Sequence, residues 1–112
     1  MSPLQVVQAQ VDAYNRRDLA AFVAVYSDDV EVFRLPSTTP GLSGKAAFTE
    51  FYRMERFNRP RLHAEIVNRI VLGNKVIDHE RIRGVRDETF EIVVAYEVVG
   101  QSIRRVWSFT PE

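Results

Sequence analysis

The chain has 112 residues, enough for one domain around a single core. Its 15 basic residues balance 15 acidic ones, so no net field draws it to nucleic acid or an anionic membrane, and the lack of cysteine excludes disulfides, thiolate metal sites and a cysteine nucleophile. No basic segment followed by an apolar run opens the chain, and no apolar run nears the roughly 20 residues of a membrane span, so a soluble cytoplasmic domain is expected.

The elements follow in chain order. Ser2 can cap a first helix, with Pro3 at its first position and Gln5 completing a capping box. Leu4, Val7, Val11 and Tyr14 then recur on one helical face. The stretch "NRRD" breaks that pattern, and Asp18 caps a second helix burying Leu19, Phe22, Val23 and Tyr26. After "SDD", the stretch "VEVFRL" alternates as a short strand stopped by Pro36. The loop "PSTTPGLSG" leads to Ser43 as cap of a third helix, which carries Phe48, Phe51 and Tyr52 and ends at "NRP". From Leu62 onward the pattern is strand, broken at Gly73-Asn74, Arg86-Asp87 and Gly100-Gln101. Two helices, a strand, a helix and a four-stranded meander predict an α+β domain, with helices on one side of an antiparallel sheet.

Two-residue turns at those three points fix the register, and register fixes which residues share a face. One face then carries His63, Glu65, Val67, Arg69, Asp78, Glu80, Val93, Ala95, Val106 and Ser108. The other carries Ile66, Asn68, Ile70, Ile77, His79, Ile92, Val94, Tyr96, Trp107 and Phe109. Hydrophobicity alone makes the second face the core. A sheet that also dimerises, however, is apolar on both sides.

"YNRRDLAAFVAVYSDDVEVF", the later "GKAAFTEFY" and the closing "IRRVWSF" resemble the NTF2-like superfamily, in its SnoaL-like and ketosteroid isomerase-like branch, over nearly the whole chain. The resemblance implies a cone: a strongly curved sheet wrapped on a long helix, with an apolar pocket, usually in a dimer. It implies a fold more than a reaction. The steroid isomerases use an aspartate base with a tyrosine and a protonated aspartic acid. Those positions here correspond to Arg34, Gln10 and a place at or near Val93, and none of the three can play its part. The His and Asp of the related polyketide cyclases fall at Val93 and Ser108. Epoxide hydrolase-like members carry Arg and Asp two residues apart on the third strand, where this chain has Asp78 and Glu80, with Arg69 opposite Asp78. The resemblance also turns the Asp78 and Glu80 face toward the pocket, leaving the Trp107 face for a sheet-to-sheet homodimer.

The expected catalytic residues are therefore Asp78 and Glu80, one of them a general acid or base if the cavity is apolar. The competing reading is an ion pair with Arg69 in solvent. Tyr14, Arg34, Tyr52, Val93 and Ser108 are the expected pocket residues. The two tyrosines offer hydroxyls or simply fill the core, and Arg34 binds an oxyanion or is a solvated strand end. His79 and Trp107 are placed at the dimer seam, His79 beside Asn68. His63, Glu65, Asp78 and Glu80 share a face, but no short His-x-His or His-x-x-x-His spacing exists, so no metal is expected. No phosphate-binding loop, dinucleotide fingerprint or G-x-S-x-G appears, so no cofactor is expected either. The expected partners are a small apolar or amphipathic ligand and a second copy of the chain, with no nucleic acid or membrane. The function is either an isomerase- or hydrolase-like enzyme using pocket carboxylates, or a non-catalytic ligand-binding or protein-association domain on the same fold.

Overall fold

The structure is a computed structural model that describes residues 1–111. The order is α1 (Pro3–Asn15), α2 (Leu19–Ala24), β1 (Tyr26–Arg34), β2 (Leu42–Ser43), α3 (Lys45–Glu55), β3 (His63–Leu72), β4 (Lys75–Arg83), β5 (Phe90–Val99) and β6 (Ser102–Phe109). The capping box of α1 forms as expected. Gln5 N–H donates to the Ser2 hydroxyl and Ser2 N–H to the Gln5 side chain. At the other end of α1, the Asn15 amide donates to the Ala64 carbonyl at 2.9 Å and accepts from Ala64 N–H at 2.7 Å, tying α1 to β3. Asp18 caps α2 by accepting from Ala21 N–H. That helix stops at Ala24, however, and Tyr26 opens β1. Ser43 does not cap α3: it lies in β2, and Gly44 takes the cap position without a side-chain bond.

Six strands form one curved sheet in the order β2-β1-β6-β5-β4-β3. The meander is antiparallel throughout, and β1 joins it parallel to β6. Strand β2, formed inside the expected loop, pairs with β1. The three helices cover the concave face. Phe22 and Phe48 are buried there with Val6, Val7, Val30, Leu62, Val76 and Ile103. Phe22 is the hub, its ring centroid 4.9–5.8 Å from those of Tyr14, Tyr26, Phe48, Tyr52 and Phe57.

Three local irregularities decide which side chains face inward. The Gly73-Asn74 turn sets Arg69 opposite Asp78 and Asn68 opposite His79, as expected. A bulge at Val67 then shifts β3, so Ile66 rather than Val67 faces Glu80, and Ala64 is buried while Glu65 turns outward. The β4–β5 connection is longer than the expected Arg86-Asp87 turn, since β4 ends at Arg83 and β5 begins at Phe90. Its left-handed residue is Gly84, at φ +84°, pressed so closely on the Arg61 carbonyl that no side chain fits. Glu80 consequently faces Ile92, and Asp78 faces Val94. A third shift, after Glu97, pairs Tyr96 with Val106 and Val94 with Ser108. Strand β5 thus presents Ile92, Val94, Tyr96 and Val98 to the helices and Val93, Ala95 and Glu97 outward, the reverse of the expected assignment. The two one-residue shifts cancel at β6. Val106 and Ser108 point inward and Trp107 outward, as expected.

Candidate active site

Between the helices and the sheet lies a cavity of about 120 Å³. A single water needs only roughly 10–15 Å³ of such space, so the cavity has room for a small organic molecule. Val11, Phe22, Val32, Ile82, Val94 and Val106 contribute apolar wall. Tyr14, Arg34, Tyr52, Glu80 and Ser108 also line it. Val93, expected among them, does not: the β5 shift turns it outward, beside His79 and Phe109.

Alternation along β4 places Asp78 and Glu80 on the concave side and His79 on the convex side. The two carboxylates have different surroundings. Asp78 is 0 % exposed. It accepts from Arg69 Nε at 2.6 Å and Nη2 at 2.9 Å, and Arg69 Nη1 donates to Gln8 on α1 at 2.7 Å. Both Asp78 oxygens are taken by one guanidinium fork. The residue does not line the cavity, so the expectation that Asp78 touches a ligand is corrected: it is a buried charge that holds Arg69.

Glu80 does line the cavity and is 6 % exposed. Its Oε2 accepts from the Tyr96 hydroxyl at 3.0 Å. No other side-chain hydrogen bond to this carboxyl forms among the described residues, which leaves Oε1 free for a ligand. Burial first, and the nearby charge of Asp78 second, push the Glu80 carboxyl from its ordinary 4.5 up to about 7. The Tyr96 hydrogen bond and Arg69 oppose that rise without cancelling it.

A polar chain runs on from Glu80. Gln10 Nε2 donates to the Tyr96 hydroxyl at 3.2 Å, and the Tyr26 hydroxyl donates to Gln10 Oε1 at 3.0 Å. Gln10, where the steroid isomerases carry a tyrosine, thus bridges two tyrosines. Burial raises the hydroxyl pKa values of Tyr14, Tyr26, Tyr52 and Tyr96, which keeps all four protonated as donors. The sequence reading missed Gln10, Tyr26 and Tyr96. Tyr96 was assigned outward with the rest of its face, although the bulk of Ile92, Val94, Tyr96 and Val98 against Val93, Ala95 and Glu97 already marked the inner side.

At the mouth Arg34 and Arg56 approach Phe51, their guanidinium carbons 5.6 and 5.3 Å from its ring centroid. On the convex face Trp107 stacks on Phe33, with centroids 6.0 Å apart. His79 lies opposite Asn68 but pairs with Glu91. Among the described residues no three His, Asp or Glu side chains converge on a point where a metal could sit, and no helix is long and apolar enough to cross a membrane.

A curved sheet wrapped on helices, with a cavity and a buried carboxyl between them, defines an NTF2-like α+β cone. The chain belongs to the SnoaL-like domain family, whose model matches residues 7–106. Among solved structures it is similar to an uncharacterized cystatin fold protein from Novosphingobium aromaticivorans, at 25% identity and a TM-score of 0.85, covering 96% of this chain and 97% of that one. A candidate ketosteroid isomerase from Kribbella flavida is 25% identical with a TM-score of 0.80, over 96% of this chain and 76% of the other. An LEH-like epoxide hydrolase from M. tuberculosis shares the fold at 15% identity and a TM-score of 0.81, over 96% and 81% of the two chains. No curated protein matches the chain in sequence.

Proposed function

We propose that this protein is an acid–base enzyme that binds a small, mainly apolar molecule in its cone and moves a proton by way of Glu80. One observation carries the reading. Glu80 is buried at a cavity wall with one oxygen held by Tyr96, the other free, and a pKa of about 7, which suits a group that takes and returns protons at neutral pH. In the reaction class that fits, Glu80 removes a proton from a carbon beside a carbonyl. The electron pair passes to the carbonyl oxygen, where a neutral Tyr14 or Tyr52 hydroxyl donates to the developing charge, and Glu80 returns the proton to the substrate. This is isomerase chemistry with the base on β4, not on β1, where Arg34 stands. Water activation by an Arg–carboxylate pair fits less well, because Asp78 and Arg69 consume each other away from the cavity.

A panel of small cyclic and aryl ketones and enones, incubated in deuterated buffer and followed by proton NMR, tests the proposal. The protein should catalyse exchange beside the carbonyl, and Glu80→Gln should lose it by roughly 10²–10⁴-fold. Exchange by no member of the panel, or exchange that survives in the variant, contradicts it.

The reading includes a homodimer through the convex face. Ile70, Ile77, Ala95, Trp107 and Phe33 stand opposite one another across five adjacent strands as one apolar row. Ile70, at 58% exposed, is far more open than a monomer's sheet face favours. Trp107→Arg should give a monomer or an insoluble protein by light scattering. A well-folded dimer at wild-type concentration would rule out this interface.

A further inference from the structure

We infer that Arg34 and Arg56 form an anion clamp at the cavity mouth, so that the ligand is an amphipathic organic acid: an apolar body in the cone and a carboxylate held between the two guanidiniums. The inference rests on the proposed function, since it names the substrate class of the same cavity. Arg34 ends β1 and Arg56 follows α3, so two separate elements deliver positive charge to one place. Both line the cavity, and both lie against Phe51, whose ring holds the cations by its face without neutralising them.

Arg17, Arg59, Arg61, Arg83 and Arg86 also form no ion pair among the described residues, but they do not line the cavity; Arg34 and Arg56 line it without a counter-charge. Arg53, Arg69, Arg81 and Arg105 each pair with a carboxylate within 4 Å. Among the described residues Arg34 and Arg56 pair with no carboxylate; the Arg56 guanidinium donates to the Glu55 carbonyl and reaches the Tyr14 hydroxyl. Among the described residues that line the cavity, Glu80 alone is acidic. Burial raises the Tyr52 hydroxyl pKa, Arg56 and Arg34 oppose that rise and Glu80 adds to it, so this cavity hydroxyl feels all three charges. The two guanidinium carbons lie 5.6 and 5.3 Å from the Phe51 ring centroid, and a carboxylate entering the mouth meets two unneutralised cations there. The planar guanidinium fork matches a carboxylate in two parallel hydrogen bonds. Anchored there, the acid sends its apolar body along the wall toward Glu80, which fixes the carbon presented to the base.

Isothermal titration of ω-phenyl carboxylic acids of increasing chain length, each against its uncharged amide, tests the clamp near pH 6. At least one acid should bind about tenfold more tightly than its amide, a preference expected for charge-assisted hydrogen bonds at a half-open site. The R34A/R56A double variant should bind acid and amide alike, while R34K/R56K keeps part of the preference. Binding of no acid at millimolar concentration, equal binding of acid and amide, or a preference untouched in the alanine variant would overturn the inference. Proton exchange on neutral ketones would survive that failure, so the loss of the clamp and the loss of Glu80 as base are separable results.

Discussion

Glu80→Gln is expected to stabilise the protein above neutral pH while abolishing its proton-transfer activity. The amide oxygen can still accept from the Tyr96 hydroxyl, so the variant removes the charge and keeps the packing. The sign follows from linkage. The folded-state pKa of about 7 lies above the ordinary 4.5, so between these values the native protein holds a proton that the unfolded chain has released. The contribution of Glu80 is fully present below about pH 4.5 and lost as pH rises through about 7. The separation corresponds to ~3 kcal/mol as an upper figure. Urea unfolding at acid and at alkaline pH should therefore show the wild type losing up to that much relative to the variant as pH rises. Parallel pH profiles for the two proteins would mean that Glu80 is hydrated and ordinary.

Asp78→Ala should cost about 3–5 kcal/mol, because it strands the Arg69 guanidinium, 17% exposed as a side chain, without its carboxylate. Asp78→Asn should cost less, since the amide oxygen still accepts from Arg69. Stability alone does not reveal how Asp78 acts on the site, so the pH dependence of Glu80 is the second measurement. Asp78 raises the Glu80 pKa, and Arg69, which lowers it, would be freed of its counter-charge. In Asp78→Asn the apparent pKa of proton exchange should fall below the wild-type value. An unchanged profile would reduce Asp78 to a purely structural ion pair.

Much of this architecture was legible because local chemistry and tertiary structure agree. Ser2 and Gln5 write the start of α1, Asp18 that of α2, and Gly73-Asn74 the first hairpin, whose register places Arg69 on Asp78. The alternation of β4 then sends Glu80 inward and His79 outward. What sequence could not supply was the set of places where pairing slips by one residue. The bulge at Val67 and the shift after Glu97 have no glycine or proline to mark them. The β4–β5 connection does have one, but Gly84 earns its place from the Arg61 carbonyl, a contact from a distant part of the chain. The slip between β4 and β5 flips β5, which is how Tyr96 and Val94 moved inside and Val93 outside, and the slip after Glu97 flips β6 back. The Arg34–Phe51–Arg56 grouping is likewise invisible in the sequence, since it joins the end of β1 to the end of α3.

The account depends on a carboxyl shut away from water yet open to the cavity. Carbon-13 NMR of selectively labelled glutamate, with Glu80 assigned by comparison with Glu80→Gln, measures that state directly. The account predicts a Glu80 δ-carbon midpoint near 7. A midpoint close to the ordinary 4.5 would contradict it and leave a binding domain without a base.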